Sequence, residues 1–120
     1  MSTRCNIKIT QNNNVCWLYH QHDGYPEYVG KYLLEKLEEY KKENYDLIDI
    51  VNDLIKDVYD SEFKIALNMS DSIEYLYEIN IGEDIILKCY KAVIELNCKT
   101  YEVENLELKE IDLIERLKNK

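Results

Sequence analysis

The sequence predicts an α+β fold with a mostly antiparallel sheet, built as one domain over residues 1–120. Several segments in both halves of the chain alternate apolar and polar side chains, which is typical of strands with one buried face. Two segments between them repeat apolar side chains every three or four residues, as amphipathic helices do. A chain of this length buries enough surface for one core. The predicted order is therefore a hairpin, two helices, a second antiparallel hairpin or meander, and a short terminal helix.

The first hairpin is predicted from two segments near the N-terminus. Residues 4–10 alternate in polarity, and residues 15–21 are rich in β-branched and aromatic side chains, so both are expected to be strands. The polar sequence Gln-Asn-Asn-Asn at 11–14 tolerates left-handed backbone conformations. The two strands should therefore pair as an antiparallel hairpin.

The helices are predicted to follow a turn at residues 23–26. Pro26 suits the first turn of a helix, Asp23 is expected to cap that helix, and Tyr25 is expected to pack beneath it. Asn44 or Asp46 is expected to cap the second helix. The buried stripes are Val29, Leu33, Leu37 and Tyr40 in the first helix, and Leu47, Ile50, Val51, Leu54 and Val58 in the second.

The second half of the chain returns to the period of strands. Segments 63–67 and 73–81 alternate, and the Gly-Glu-Asp turn at 82–84 leads into a strand over 85–94. We expect this hairpin to form the centre of the sheet. Residues 96–108 are expected to add an edge strand, and residues 110–118 a short terminal helix.

The charge balance restricts the partners. The chain has 24 acidic and 15 basic residues, a formal charge of -9. Its average field repels phosphate backbones and anionic lipid, so ordinary DNA or RNA binding is disfavoured, and neither duplex nucleic acid nor a membrane is an expected partner. No run approaches the length of a membrane span. The same field would attract a basic protein surface or could mimic the phosphates of a nucleic acid.

The cysteines indicate a reducing, cytoplasmic compartment. They show no CxxC spacing and follow no apolar signal segment, so a disulfide framework is not expected. We expect all four to be small buried side chains, with a zinc site as the alternative, and we predict no cofactor. These residues are Cys5, Cys16, Cys89 and Cys98.

Residues 17–30 concentrate unusual residue types, namely the only tryptophan, both histidines, the only proline and two of the three glycines. One interpretation is structural, in which this loop turns the chain into the first helix. The other is functional. His20 and His22 share one strand face if the period of two continues, and they could converge with Asp23 on a ligand, a metal or a substrate proton.

At this loop the chain resembles a family of small proteins found in bacteriophages and bacterial genomes. That family has a Met-Ser-Thr-Arg-like start and an aromatic-x-His-x-Asp-Gly-Tyr-Pro-x-x-x-Gly loop after the second strand. The matching pieces here are residues 1–4, 6–7, Tyr19, 23–26 and Gly30, with 73–77 resembling a later strand of the family. Gln21 stands where the family has its histidine. The resemblance implies a phage or mobile-element origin, where short acidic proteins often bind and disable host components.

The tyrosine content favours binding. Eleven tyrosines are too many for the core alone, and exposed tyrosines suit protein interfaces and also stack on nucleobases. The alternative interpretation is that several fill the core with their hydroxyls at its rim. The candidate contact residues are Tyr19, His20, His22, Asp23, Tyr25, Tyr28, Tyr75 and Tyr77.

Three functions follow as hypotheses. The first is a non-catalytic binding protein, a phage-type antagonist of a host defence or regulatory factor. It would occlude a basic protein surface, which net acidity favours slightly, or sequester a small nucleotide signal. In the nucleotide case tyrosines would stack on the base, and Arg4, Lys64 or Lys88 would neutralise phosphate. The second is a small hydrolase or metal-dependent enzyme using both histidines and Asp23. The third is a structural or assembly protein, a homo-oligomer with a self-complementary apolar surface.

Overall fold

The computed structural model describes residues 3–56, 63–70, 72–96, 98–100 and 103–118, and they form an α+β fold. Its strands are β1 (Cys5–Gln11), β2 (Asn14–His20), β3 (Lys64–Ala66), β4 (Tyr75–Ile81), β5 (Ile85–Leu96) and β6 (Val103–Ile111). Its helices are α1 (Lys31–Lys42), which continues directly from a five-residue π-helix (Pro26–Gly30), α2 (Leu47–Lys56) and α3 (Leu113–Lys118). Val58, predicted in the buried stripe of α2, lies outside the described residues.

The strands form one mixed sheet in the order β3-β2-β1-β4-β5-β6. Every neighbouring pair is antiparallel except β1 with β4, which is parallel, so the prediction of a mostly antiparallel sheet is confirmed. The prediction that the β4–β5 hairpin forms the centre is wrong, because β1 and β4 occupy the two middle positions. The two strands of a parallel pair are distant in the chain and are not joined by a tight turn, so no turn sequence predicts their pairing.

The C-terminal region differs from the prediction in its boundaries. The edge strand β6 lies further along the chain than residues 96–108, and it pairs with β5 over a long hairpin. Glu110 and Ile111, expected to begin the terminal helix, instead pair with Tyr90 and Cys89. The first two residues of the predicted helix thus belong to strand β6, and α3 begins at Leu113.

The core lies between the helices and one face of the sheet. Alternate residues of the two central strands face the helices, and their register places Ile7 beside Tyr77 and Ile9 beside Ile79. The predicted stripes are buried at Leu33, Leu37 and Tyr40 of α1 and at Ile50, Val51 and Leu54 of α2, while Val29 is buried on the π-helix and Leu47 is only partly buried. The buried cluster includes Cys5, Ile7, Ile9, Leu18, Val29, Leu33, Leu37, Tyr40, Ile50, Val51, Leu54, Phe63, Tyr75, Tyr77, Ile79 and Cys89.

The cysteines occupy three different environments. Cys5 and Cys89 are buried, Cys16 is partly exposed and Cys98 is exposed, so the expectation of four buried side chains holds for Cys5 and Cys89, is met only in part by Cys16 and is wrong for Cys98. Burial raises the pKa of Cys89 to about 12, which keeps that thiol protonated at neutral pH. All four are free thiols. Within the described ranges, no helix combines the length and the apolar character that crossing a bilayer requires.

Candidate functional site

The loop between β2 and the π-helix turns the chain in a way that the sequence only partly predicts. Pro26 begins the π-helix, as expected for a first-turn proline. Asp23 does not cap it, because Tyr25 occupies the N-cap position and makes no side-chain cap hydrogen bond. Instead Asp23 has a φ of 55°, a left-handed conformation that aspartate tolerates better than most residues. The prediction of an Asp23 cap is therefore wrong.

Gly24 is held against the start of β1. Its amide donates to the Thr3 carbonyl at 2.8 Å, and its own carbonyl accepts from the Tyr77 hydroxyl at 2.7 Å. A Cβ at this position would lie 2.9 Å from both Cys5 Cβ and the Thr3 carbonyl oxygen. Glycine is needed here for space. Tyr25, predicted to pack beneath the helix, is partly buried against the core.

The two histidines do not share a site. His20 ends β2 and is only 3% exposed, with its ring centroid 4.6 Å from that of Phe63. His22 lies beyond the strand, where the period of two no longer applies, and is exposed. Among the described residues, no three His, Cys, Asp or Glu side chains are grouped so as to hold a metal ion. The convergence of His20, His22 and Asp23 on which the hydrolase hypothesis depends is not formed.

The predicted contact tyrosines divide between the core and the surface. Tyr75 and Tyr77 belong to the buried cluster and cannot contribute to a binding surface, so their prediction as contact residues is wrong. Tyr28 is 44% exposed and lies on the π-helix beside Tyr25, with ring centroids 6.3 Å apart. Tyr19 is partly exposed, on the face of the sheet opposite the helices.

Arg116 joins α3 to the π-helix through a two-pronged ion pair. Its Nε donates to Glu27 Oε2 at 2.8 Å, and one Nη donates to Glu27 Oε1 at 3.2 Å. Its guanidinium carbon also lies 5.6 Å from the centroid of the Tyr75 ring. Because both charged side chains are partly buried and the contact is two-pronged, this pair is better placed to stabilise the fold than an ordinary surface pair.

We expect the substitution Arg116→Ala to lower the free energy of unfolding by about 1–3 kcal/mol, since it leaves the Glu27 carboxylate partly buried without its donor. Urea unfolding followed by circular dichroism measures this. Lys118→Ala removes an exposed cation from the same helix and is the matched control, expected within about 0.5 kcal/mol of the wild type. Equal stabilities of the two variants would contradict a stabilising role for the pair.

The second face of the sheet carries a different set of side chains. Its positions on β2 are Val15, Trp17 and Tyr19, because Cys16, Leu18 and His20 point to the helices. The helices pack on the opposite face of the sheet, which carries the core. Among the described residues, the β3–β4 connection crosses the second face, where the Ser70 amide bonds to Asn6. We call this second surface the open face. The positions on it from the neighbouring strands are Lys64, Ala66, Asn6, Lys8, Thr10, Leu76, Glu78, Asn80, Ile86, Lys88 and Tyr90.

The crossing connection creates a cleft at one end of the open face. The Ser70 amide donates to Asn6 Oδ1 at 2.7 Å, and Asn6 Nδ2 donates to the Leu18 carbonyl at 2.9 Å, which fixes the connection over β1. The resulting cleft has a volume of about 740 Å³. Tyr19 and Asn6 line it from β2 and β1, β3 lines one side, and residues 67–70 line the other. We call this the Tyr19 cleft.

Cationic side chains lie in and beside the Tyr19 cleft, although the whole chain has a net negative charge. Lys64 lines the cleft, and among the described residues no carboxylate lies within salt-bridge distance of it. Arg4 lies just beyond, where one guanidinium nitrogen donates to Ser72 Oγ at 3.3 Å, and Ser72 Oγ is 3.1 Å from Ser70 Oγ. The opposite side of the molecule is acidic. Helices α1 and α2 and the turn between them carry Glu35, Glu38, Glu39, Glu43, Asp46, Asp49 and Asp53 against Lys31, Lys36, Lys41, Lys42 and Lys56.

Sequence reasoning missed part of this cleft. It proposed Tyr19 as a contact residue and Lys64 as a phosphate-neutralising cation, but it did not place Asn6 or residues 67–70 with them. It also missed Trp17, which lies beside the cleft on the open face, although the alternation of β2 contained a signal for it, since Trp17 and Tyr19 are two residues apart. Nothing local indicated that the β3–β4 connection would cross the sheet there.

Comparisons of this chain with protein-family models, with curated proteins and with solved structures found no significant match to any of them.

Proposed function

We propose that this chain is a non-catalytic binding protein that holds a small nucleotide in the Tyr19 cleft. The observation that carries the proposal is the direct cross-strand pairing of Tyr19 with Lys64 at the cleft. An aromatic ring offers a stacking surface to any base, and a lysine beside it supplies the charge that a phosphate needs.

Charge distribution favours a nucleotide over a basic protein surface. A basic partner would be attracted to the acidic helix side, but an acidic cluster alone does not define a site. The cleft instead gathers Lys64 and, at its edge, Arg4, with hydroxyls of Ser70 and Ser72 nearby. A cleft lined by a cation reverses the slight preference that net acidity gave to a protein partner, because local charge governs a small anion more than the average field does.

The proposed biological role is sequestration. A protein that binds a nucleotide without transforming it lowers the free concentration of that nucleotide. Together with the resemblance to a phage and bacterial family, this supports an antagonist that removes a nucleotide signal used by a host defence or regulatory factor.

The test is a titration of the full chain with adenosine 5′-monophosphate, followed by calorimetry and by tryptophan fluorescence. Trp17 is the only tryptophan and lies two residues from Tyr19, so its emission reports on the open face. We expect saturable binding that is tighter than binding of adenosine or inorganic phosphate, because each of these lacks one of the two recognised groups. Equal response to phosphate alone, or no response to any of the three at millimolar concentration, would overturn the proposal.

A further inference from the structure

The open face repeats the arrangement of the Tyr19 cleft one step along β2. Tyr19 stands directly opposite Lys64 of β3, and Trp17 stands directly opposite Lys8 of β1. Each aromatic residue on this face of β2 therefore has a lysine as a cross-strand neighbour, first on one side of the strand and then on the other. Two residues along a strand correspond to roughly 7 Å.

In the second pair, the Lys8 ammonium lies over the Trp17 ring. Lys8 Nζ lies 5.4 Å from the centroid of the Trp17 ring and 4.0 Å from Glu78 Oε2. The Lys8–Glu78 distance is at the limit for an ion pair, and both side chains are partly exposed, so this pair contributes little and the ammonium can exchange its partner for a phosphate. Trp17 is itself partly exposed and outside the buried cluster.

From this repeat we infer that the ligand of the proposed cleft contains at least two nucleotides of a single strand, with one base on Tyr19 and the next on Trp17. The inference rests on the proposed function and extends it from a mononucleotide to a dinucleotide or longer oligonucleotide. Successive aromatic residues on an exposed sheet face are suited to successive bases, and such stacking tolerates any base. Single strands also present their bases without the cost of opening a duplex.

Charge complementarity selects this occupant over a second copy of the chain. Arg4, Lys8, Lys64 and Lys88 belong to the open face or its edge, where the neighbouring carboxylates are Glu78 near Lys8 and Glu110 near Lys88, whereas the helix side carries more acidic than basic residues. An anionic strand is therefore directed to the open face by the same field that repels it from the rest of the surface. Stacking of one further base is worth about tenfold in affinity.

The test compares adenosine 5′-monophosphate with the 5′-phosphorylated dinucleotide pApA, both measured by calorimetry on the full chain. We expect pApA to bind at least about tenfold more tightly. The variant Trp17→Leu, which keeps an apolar residue in the strand, should lose this advantage. Ile86→Ala is the matched control on the same face, 50% exposed on β5, and should retain it. Urea unfolding confirms that each variant is folded.

The outcomes separate the inference from the proposed function. Equal affinities for the two ligands in the wild type would overturn the inference while the proposed function stands. An equal loss of both affinities in Trp17→Leu would also overturn it, since Trp17 would then act on the mononucleotide site. Failure of both ligands to bind would overturn the proposed function itself. Sedimentation in which the wild type is a dimer and Trp17→Leu a monomer, with pApA binding unchanged, would assign the open face to a second copy and overturn the inference.

Discussion

Replacing Tyr19 with alanine should weaken the binding of adenosine 5′-monophosphate by about 1–3 kcal/mol, or roughly fivefold to more than a hundredfold in Kd. The substitution removes the ring on which the base is proposed to stack. Tyr19 is partly exposed and lies outside the buried cluster, so the fold should tolerate its loss. Isothermal calorimetry measures the affinity, and circular dichroism verifies the fold.

Two further variants make this result specific. Tyr19→Phe keeps the stacking surface and should bind within about threefold of the wild type if stacking is the main contribution. Val15→Ala truncates a side chain that is 49% exposed on the same face of the same strand, and it should leave the affinity unchanged. A Tyr19→Ala protein that binds the nucleotide as well as Val15→Ala does would show that the cleft is not the site.

The largest effect on stability is expected at Tyr77. Tyr77→Ala should lower the free energy of unfolding by about 3–5 kcal/mol, since it removes a buried aromatic side chain and leaves a cavity. The residue is 0% exposed and lies in the central strand β4. Its ring also borders Gly30, where an added Cβ would lie 3.4 Å from Tyr77 Cε1. The loss would be a large fraction of the total stability of a typical domain.

Tyr77→Phe isolates the contribution of the hydroxyl. Burial raises the pKa of Tyr77 well above its ordinary value, so the hydroxyl remains a proton donor at working pH. The Tyr77 hydroxyl donates a hydrogen bond to the Gly24 carbonyl at 2.7 Å, which links the loop to the sheet. Removing the hydroxyl leaves that buried carbonyl without this donor. We expect a cost of about 1–3 kcal/mol in urea unfolding, compared with less than about 0.5 kcal/mol for Tyr19→Phe at a partly exposed site on the open face. Equal stability of Tyr77→Phe and the wild type would contradict this account.

The buried position of Tyr77 could be anticipated from its neighbours. Ile73, Tyr75, Tyr77, Ile79 and Ile81 alternate with Glu74, Glu78 and Asn80, interrupted only by Leu76, and that period already assigns both tyrosines to the apolar face of their strand. The count of eleven tyrosines suggested a surplus outside the core, but composition says nothing about which tyrosines face solvent. For Tyr75 and Tyr77, the alternation along the strand therefore predicts burial more accurately than the tyrosine count does.

The histidines illustrate a limit of periodicity. A period of two places His20 and His22 on one face only while the strand continues, and β2 ends at His20. Asp23 then adopts a left-handed conformation, and the Gly24 amide bonds to the Thr3 carbonyl. Where the strand ends depends on this contact with the N-terminal segment, and no pattern within residues 17–30 contains it.

The sequence by itself determined the α+β class, the two helical stripes, the hairpins at 11–14 and 82–84, and an acidic surface, because each follows from local spacing, turn chemistry or composition. Only the tertiary structure decided the parallel pairing of β1 with β4 and the passage of the β3–β4 connection over Asn6. It therefore also decided that Tyr19, Lys64 and residues 67–70 line an open cleft. Periodicity states which side of a strand is apolar, whereas the choice of neighbouring strand is made by contacts between residues far apart in the chain.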